Sequence, residues 1–206
     1  MARISSTDRR SALIEAALRV IGRDGIASAT TRAIVAEADM SLASFHYVFR
    51  SRDEMMHALV ASLIEAQTLA TLESIAESTN IHHALRAGLQ AYFDVLTGNP
   101  HQEQALIELL MYSMRTDDLA DLPQVQYASY HRAVAHLLVT AAASARVEWV
   151  RPVADIARTI VSITDGVTLA WLADRDTVAS GRVLDFAAES IAVLARPLDP
   201  ERDLTP

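Results

Sequence analysis

Several residue types are missing from this 206-residue chain, and each absence excludes a class of chemistry. No cysteine occurs, which excludes disulfides, thiolate nucleophiles and cysteine-ligated zinc. No lysine occurs either, so every strongly basic side chain is an arginine. There is no G-x-S-x-G, no phosphate-cradling glycine loop and no dinucleotide fingerprint, and the seven histidines lack metal-ligand spacing. We therefore predict no enzyme, no cofactor and no metal site.

We expect neither a membrane helix nor a secretory leader. No stretch approaches the roughly 18 apolar residues of a membrane helix. The N-terminus, MARISSTDRR, has basic residues but no apolar segment behind them. Because 51% of the residues are hydrophobic and 21% are charged, a packed core is feasible. We expect a cytoplasmic globular protein without membrane contact.

The charge is distributed unevenly along the chain. The net charge is −8, but residues 1–53 carry eight arginines against six acidic residues, and the remainder is strongly acidic. Phosphate contact depends on the charge close to the interface, within a Debye length of about 8 Å. The acidity of the whole chain therefore does not exclude nucleic-acid binding.

Apolar residues recur at helical spacing along most of the chain, and no strand-like alternation stands out. We predict an all-α fold of about nine helices: a three-helix N-terminal domain over residues 1–53 and a helical domain over residues 54–206. The last two helices, expected at 154–173 and 177–194, have apolar residues outside a single stripe. Each is expected to bury one face in its own domain and the other against a second chain.

Residues 30–54, TTRAIVAEADMSLASFHYVFRSRDE, predict two short helices joined by a tight turn. Thr31 is expected to cap the first helix and Ser41 the second, with Asp39 in the turn between them. Phe45 and Phe49, together with Val48, recur at helical spacing and must face inward. The side chains left facing outward are small, hydroxyl-bearing or aromatic: Leu42, Ala43, Ser44, His46 and Tyr47.

This order of elements is a helix-turn-helix, and the stretch resembles the DNA-binding signature of the TetR repressor family. The matching positions are Thr30-Thr31-Arg32, Ala38-Asp39-Met40-Ser41, Ser44-Phe45-His46-Tyr47-Val48-Phe49 and Arg52. Asp39 stands where the family usually has glycine, so it must adopt a left-handed conformation if the turn needs positive φ. His46 replaces an aromatic hydroxyl, and Arg52 replaces a lysine.

The resemblance implies a homodimeric, ligand-responsive transcriptional regulator, with repression as the inherited direction. It would bind a pseudo-palindromic operator in double-stranded DNA and dimerise through the last two helices. Phosphate contacts are expected from Thr31, Arg32, His46, Tyr47 and Arg52. Ser41, Leu42, Ala43 and Ser44 are expected close to the DNA, the last three near base edges.

The resemblance also implies an effector pocket between the helices of the second domain, for a small and at least partly apolar molecule. Aromatic and methionine side chains with a few polar groups suit an adaptable pocket of this kind. The candidate lining residues are Tyr92, Phe93, Met111, Tyr112, Met114, Tyr127, Tyr130, His131, Trp149, Asp165 and Trp171. Most residues at such spacing are simply core, so the hypothesis concerns the set.

Two alternatives compete with a DNA-binding regulator. A helical enzyme could use the same pocket, although no convergent acid and base pair is evident in the sequence. A helix-turn-helix can also serve only in protein–protein interaction.

Overall fold

The structure, a computed structural model, describes residues 5–75 and 78–198, except the side chains of residues 67, 70 and 73–75. In these ranges the chain forms nine α-helices and two short strands. The helices are α1 (Ser6–Asp24), α2 (Thr31–Glu37), α3 (Leu42–Val48), α4 (Arg52–Ile75), α5 (Ile81–Gly98), α6 (Pro100–Ser113), α7 (Leu122–Ala145), α8 (Val153–Asp174) and α9 (Thr177–Ala192). The strands are β1 (Val147–Trp149) and β2 (Ala195–Pro197). The prediction of an all-α protein with about nine helices is confirmed.

Local signals define the ends of α1. The Ser5 hydroxyl accepts a hydrogen bond from the Asp8 amide at 3.0 Å, which satisfies one of the free amides at the helix start. At the other end Gly25 has φ 81°, and its amide donates to the Ile21 carbonyl at 2.9 Å. A glycine adopts this conformation without the steric penalty of a Cβ atom, so the helix stops there.

The described residues group into two compact units, and neither is a continuous stretch of chain. Unit 1 comprises residues 1–63 and 99–127, and unit 2 comprises residues 64–98 and 128–206, as far as each is described. In unit 1, α6 packs against α1, and the side chain of His101 approaches Gly22. Buried side chains from α1 to α4, among them Leu13, Ile34 and Phe45, form its core. The boundary expected at residue 53, between the three-helix N-terminal domain and the second helical domain, divides the chain differently from these two units. It stays a prediction.

Unit 2 has an apolar core to which α5, α7, α8 and α9 contribute. Phe93 of α5 packs edge-on against Trp171 of α8, with ring centroids 5.9 Å apart. Leu138 of α7 and Leu184 of α9 are also buried in this cluster. Each helix thus places one apolar stripe in the core, as its periodicity predicts.

A small antiparallel β-ladder was not predicted. β1 pairs with β2 in the register Val147–Pro197, Glu148–Arg196 and Trp149–Ala195, and Arg196 donates to Glu148 at 2.7 Å. No strand was predicted, because no strand-like alternation stands out in the sequence, and the ladder at residues 147–149 and 195–197 departs from that prediction. The paired residues lie almost fifty positions apart in the sequence, so no local sequence pattern predicts the pairing.

One helix meets the length and composition criteria for a membrane span, although charged residues interrupt its apolar sequence. Among the described residues, α8 alone is long and apolar enough to cross a membrane by length and composition, with a mean hydropathy of 1.3 over an 18-residue window. A core helix of a folded domain meets the same criteria. Ile156, Ile160 and Trp171 of α8 lie buried in unit 2, so we treat it as a core helix.

Candidate functional site

The second helix of the helix-turn-helix presents an exposed face. Phe45 and Phe49 are buried and hold α3 against the rest of unit 1. Val48, which was expected to face inward, is only half-buried. Tyr47 is 67% exposed and Leu42 is 43% exposed. The remaining outward residues are Ala43 and His46, which are exposed, and Ser44, which is half-buried. The outward face predicted for α3 is therefore present in the structure.

The turn before α3 takes the form that its residues predict. Asp39 has φ 51°, the left-handed conformation expected from its replacement of glycine. The Ser41 hydroxyl accepts from the Ser44 amide at 3.1 Å and so caps α3. The two serine hydroxyls also lie 3.0 Å apart in a hydrogen bond, so Ser44 shares its hydroxyl with the cap.

The cap predicted for α2 is displaced by one residue. Thr30, rather than Thr31, is the N-cap, and its hydroxyl accepts from the Ala33 amide at 3.2 Å. Thr31 is instead the first residue of the helix and is half-buried. The tandem threonines make either one a suitable cap, and the backbone conformation decides between them.

Arginines of α1 lie over aromatic rings at the end of α3. The guanidinium of Arg9 is 5.2 Å from the ring centroid of Tyr47, and that of Arg10 is 4.5 Å from the ring centroid of Phe49. Because Tyr47 is exposed, Arg9 adds a positive charge beside a side chain on the outward face. From the sequence, Arg9 and Arg10 either reach the DNA backbone or only form a solvated helix start, and no local signal places Arg9 beside Tyr47.

Arg52 is bonded to two backbone carbonyls within unit 1. Its Nε donates to the Ala29 carbonyl at 2.7 Å, and its Nη2 donates to the Ile26 carbonyl at 2.8 Å. The guanidinium also lies 5.7 Å from the ring centroid of Tyr112 in α6. Two of its five N–H donors are thus used within the protein, where they hold the segment that precedes α2, and the phosphate contact expected of Arg52 stays a prediction.

Glu108 of α6 holds the same segment from a second side. Its Oε1 accepts from the Ile26 amide at 2.8 Å. A Cβ atom added to Gly25 would lie 3.0 Å from that oxygen, so glycine also allows the carboxylate to approach closely. Residues 25–29 are thus bonded to both α4 and α6, and they lead directly into the Thr30 cap of α2.

Other arginines of α1 are neutralised within the protein. Arg19 and Arg23 contact Glu37 at 2.8 and 3.0 Å, and Arg23 also bonds to Asp24. These contacts, the hydrogen bond from Arg19 first, hold the pKa of Glu37 below its ordinary value. In the described part of the chain, no ion pair engages Arg32, which is exposed at the start of α2. Arg32 therefore remains available for phosphate.

Polar groups from three helices meet in unit 2. The Tyr92 hydroxyl on α5 is hydrogen-bonded to the Thr168 hydroxyl on α8. Burial, then the positive charge of Arg158, lowers the pKa of His131 on α7, and the Asp165 carboxylate opposes this effect. Asp165 and Thr168 are one helical turn apart. Three of the predicted pocket residues, Tyr92, His131 and Asp165, thus belong to one polar region.

The other predicted pocket residues have varied surroundings. Phe93 and Trp171 are core residues, and the Trp171 indole donates to the Thr177 hydroxyl at 3.1 Å. Trp149 donates to the Leu138 carbonyl at 3.1 Å. The half-buried Tyr130 lies in unit 2. Four more lie in unit 1: the exposed Met111 and Met114, and the half-buried Tyr112 and Tyr127.

Two protein-family models match separate parts of the chain. One, described as bacterial regulatory proteins of the tetR family, matches residues 13–59 and contains all of α2 and α3. The other, described as the C-terminal part of BetI-type transcriptional repressors, matches residues 81–196, more than half of the chain. The chain belongs to the TetR family.

Curated relatives agree with this membership. The nicotine-responsive transcriptional repressor HdnoR of Paenarthrobacter nicotinovorans is 32% identical over 172 residues, which are 84% of this chain and 88% of that protein. The uncharacterised regulator YfiR of Bacillus subtilis (strain 168) is 23% identical and matches 77% of this chain and 78% of its own. The family and these relatives are transcriptional regulators and not enzymes.

Solved structures share the fold. A putative TetR-family regulator from Rhodococcus sp. superposes with a TM-score of 0.76 at 18% identity, over 91% of this chain and 98% of its own. The multidrug binding protein EbrR, solved with imidazole, gives a TM-score of 0.61 at 25% identity over 94% and 98% of the two chains. This TetR-family protein is thus a DNA-binding, ligand-responsive regulator by family.

The last two helices of the TetR-family protein leave apolar side chains exposed. Leu169 of α8 and Val178, Val183 and Phe186 of α9 are each between 46% and 70% exposed. Their opposite faces contribute Ile160, Leu184 and other residues to the core of unit 2. Both helices thus have apolar residues outside the stripe that they bury, as the sequence predicted, with one large exposed side chain on α8 and three on α9.

Proposed function

We propose that two copies of this protein bind a pseudo-palindromic operator and place the two α3 helices in successive major grooves. The observation that carries this proposal is the outward face of α3, with Phe45 and Phe49 buried beneath it. A short helix supported in this way can enter a groove about 12 Å wide. The operator would be released when an effector favours a conformer with unsuitable spacing between the two helices.

The dimer would form through α8 and α9. Their exposed apolar residues make an apolar patch that is costly to leave in water. A two-fold axis lets the same patch serve both copies and matches the symmetry of a pseudo-palindromic site. With two heads joined, residues 1–53 would serve as the DNA-binding domain, and residues 54–206 would serve in effector binding and dimerisation.

The residues around α3 would divide their contacts with DNA. Arg9, Thr31, Arg32, His46 and Tyr47 would contact phosphates and fix the orientation of α3. Leu42, Ala43 and Ser44 would lie close to base edges, with Ser41 next to them at the helix start. Arg52 would hold residues 26 and 29 with two of its N–H groups and would contact a phosphate with those that remain.

A salt titration of operator affinity tests the phosphate contacts. Arg32→Ala should weaken binding and reduce the slope of log affinity against log salt by about 0.9 for each phosphate that is no longer bound. Arg9→Ala should act in the same way. Arg151→Ala is a control of equal charge change, since Arg151 is exposed in unit 2. Equal slopes for all three variants would contradict the assignment.

The effector is proposed to be a small, partly apolar molecule that carries a basic nitrogen. One relative responds to nicotine and another has been solved with imidazole, and both compounds contain basic nitrogen in a ring. In this protein the Asp165 carboxylate, with Tyr92 and His131 near it, supplies negative charge and hydrogen-bonding groups. A carboxylate beside aromatic rings suits an organic cation.

Release of operator DNA by chosen compounds tests the effector class. Nicotine and imidazole should release the operator, while toluene, an uncharged aromatic molecule, should not. Asp165→Asn should raise the concentration required by about 10-fold or more, because a charge-assisted hydrogen bond contributes about 1.5–3 kcal/mol. Asp155→Asn, at an exposed position in the first turn of α8, is the matched control. Equal responses of the two variants would contradict a role for Asp165.

Repression and location are part of the same proposal. The protein would act in the cytoplasm, where it has access to chromosomal DNA, and would block transcription when free of effector. A helical enzyme or a protein-interaction module are the alternatives. Turnover of a compound in the absence of DNA would favour the first, and unchanged partner binding by Arg32→Ala without DNA affinity would favour the second.

A further inference from the structure

The single aromatic residue of α9 stands at the centre of a self-complementary stripe. Phe186 is 70% exposed, an unusual position for a phenyl ring in a folded protein. Arg182 lies four residues before it and Glu189 three residues after it, so all three share one face of the helix. Both charged side chains are exposed, and neither has an ion-pair partner within the described residues.

A cleft beside this stripe separates the outer surfaces of α8 and α9. Its volume is about 290 Å³. The lining is mainly of small or apolar side chains, including Gly166 and Ala170 from α8 and Ala179 and Val183 from α9. A Cβ atom added to Gly166 would meet nothing within 4 Å, so open space lies above that glycine.

The dimensions of the cleft suit an aromatic ring. Benzene occupies an engineered protein cavity of about 150 Å³, so a cleft of 290 Å³ has room for a phenyl group. Phe186 cannot be the occupant of its own cleft, because its ring is largely in solvent. A second copy of the chain supplies an exposed phenyl ring of its own, and this ring is the occupant that we consider.

Symmetry makes the stripe complementary to itself. A two-fold axis perpendicular to α9 makes the two copies of the helix antiparallel. Residues before the centre of one copy then face residues after the centre of the other. Arg182 of one chain would therefore lie near Glu189 of the second chain, and the reverse contact would also form. Opposite charges on either side of an apolar centre favour this one orientation.

We propose that Phe186 of each protomer inserts into the α8–α9 cleft of the other, above Gly166, and that Arg182 and Glu189 fix the register. This inference rests on the proposed dimer and adds the residue that anchors its interface, Phe186. A ring that fills a desolvated pocket at the centre of an interface is typical of an energetic hot spot. Because the two-fold axis relates the two chains, each dimer contains two identical insertions.

Two substitutions prevent the proposed insertion from opposite sides. Phe186→Ala removes the ring, and Gly166→Leu fills the cleft from a position with open space above it. Either change should weaken the homodimer about 100-fold, since a hot-spot residue contributes about tenfold or more and the homodimer has two such insertions. Gly181→Leu is the matched control, because its Cβ also meets nothing within 4 Å and it does not line the cleft. Sedimentation with fluorescence detection measures the dissociation constants, and circular dichroism verifies that each variant is folded.

Mixing the two variants tests the pairing itself. The Gly166→Leu chain keeps its ring, and the Phe186→Ala chain keeps its open cleft, so a mixed dimer retains one of the two insertions. Native mass spectrometry after subunit exchange should show mixed dimers above the statistical half of all dimers. A mixed dimer no more abundant than half would overturn the proposal, as would a Phe186→Ala homodimer as tight as the wild type.

Operator binding separates this inference from the proposed function. If Phe186→Ala leaves both dimerisation and operator affinity unchanged, the anchor is wrong and the dimeric regulator stands. If the wild type is monomeric and does not bind DNA selected from genomic fragments, the proposed function fails as well. If the variant is monomeric and loses operator affinity that the Gly181→Leu control retains, both are supported.

Discussion

The carboxylate of Glu108 should contribute measurably to the stability of unit 1. It accepts the Ile26 amide at 2.8 Å, and Ile26 is a buried residue. Glu108→Ala would leave this amide without its charged acceptor, although water can reach the site because Glu108 is exposed. Gln104→Ala, at an exposed position one turn earlier on α6, is the control.

The expected loss follows from the type of hydrogen bond. A hydrogen bond to a charged group contributes about 1.5–3 kcal/mol, and the exposure of Glu108 reduces this to about 1–2 kcal/mol. For a chain of this size each kcal/mol lowers the melting temperature by about 2–4 °C, so Glu108→Ala should lower it by about 2–8 °C. Glu108→Gln keeps an oxygen acceptor without the charge and should lose about half as much.

Thermal unfolding followed by circular dichroism measures these differences. All variants must be compared at one protein concentration, because the melting temperature of a dimer depends on concentration. The reasoning predicts the order wild type, Glu108→Gln, Glu108→Ala, with Gln104→Ala equal to wild type. Equal melting temperatures for all four proteins would show that the hydrogen bond to Ile26 contributes nothing.

Two further predictions concern single positions. Gly25→Ala should destabilise the protein by about 1–2 kcal/mol in urea unfolding, since an L-residue is strained at φ 81° and its Cβ would crowd Glu108. The cost should be smaller when Glu108 is already alanine, and a strictly additive double variant would contradict the crowding. Because the pKa of His131 is lowered by burial and by Arg158, the unfolded chain binds its proton more readily. Stability should therefore fall as the pH drops below the ordinary histidine value of 6.5, and His131→Gln should make this fall less steep in urea titrations; an unchanged pH profile would refute it.

Much of unit 1 could be predicted from short-range signals. Gly25 ends α1, Asp39 adopts the left-handed conformation and Ser41 caps α3, each within two or three residues of the feature that it determines. Phe45 and Phe49 were assigned to the core because their spacing matches the helical period, and both are buried. Signals of this kind act within one helical turn, so a single sequence contains them.

The surroundings of Arg52 could not be predicted in this way. It bonds to carbonyls at Ala29 and Ile26, more than twenty residues earlier, and its guanidinium lies over Tyr112 on α6. The exposure of Phe186 was equally inaccessible, because α9 has apolar residues on two faces and its periodicity does not tell which face is covered. Contacts between distant segments depend on the packing of whole helices, and no local rule expresses that.

The assembly of unit 1 from two separate segments limits how the protein can be divided for engineering. A hybrid regulator made by transplanting residues 1–53 onto another sensor would remove α1 from the α6 against which it packs. Glu108 and Tyr112 would then be replaced by whatever the recipient supplies, and residues 25–29 would be deprived of two of their supports. A transplant that is to retain operator recognition should therefore carry α6 with the first four helices.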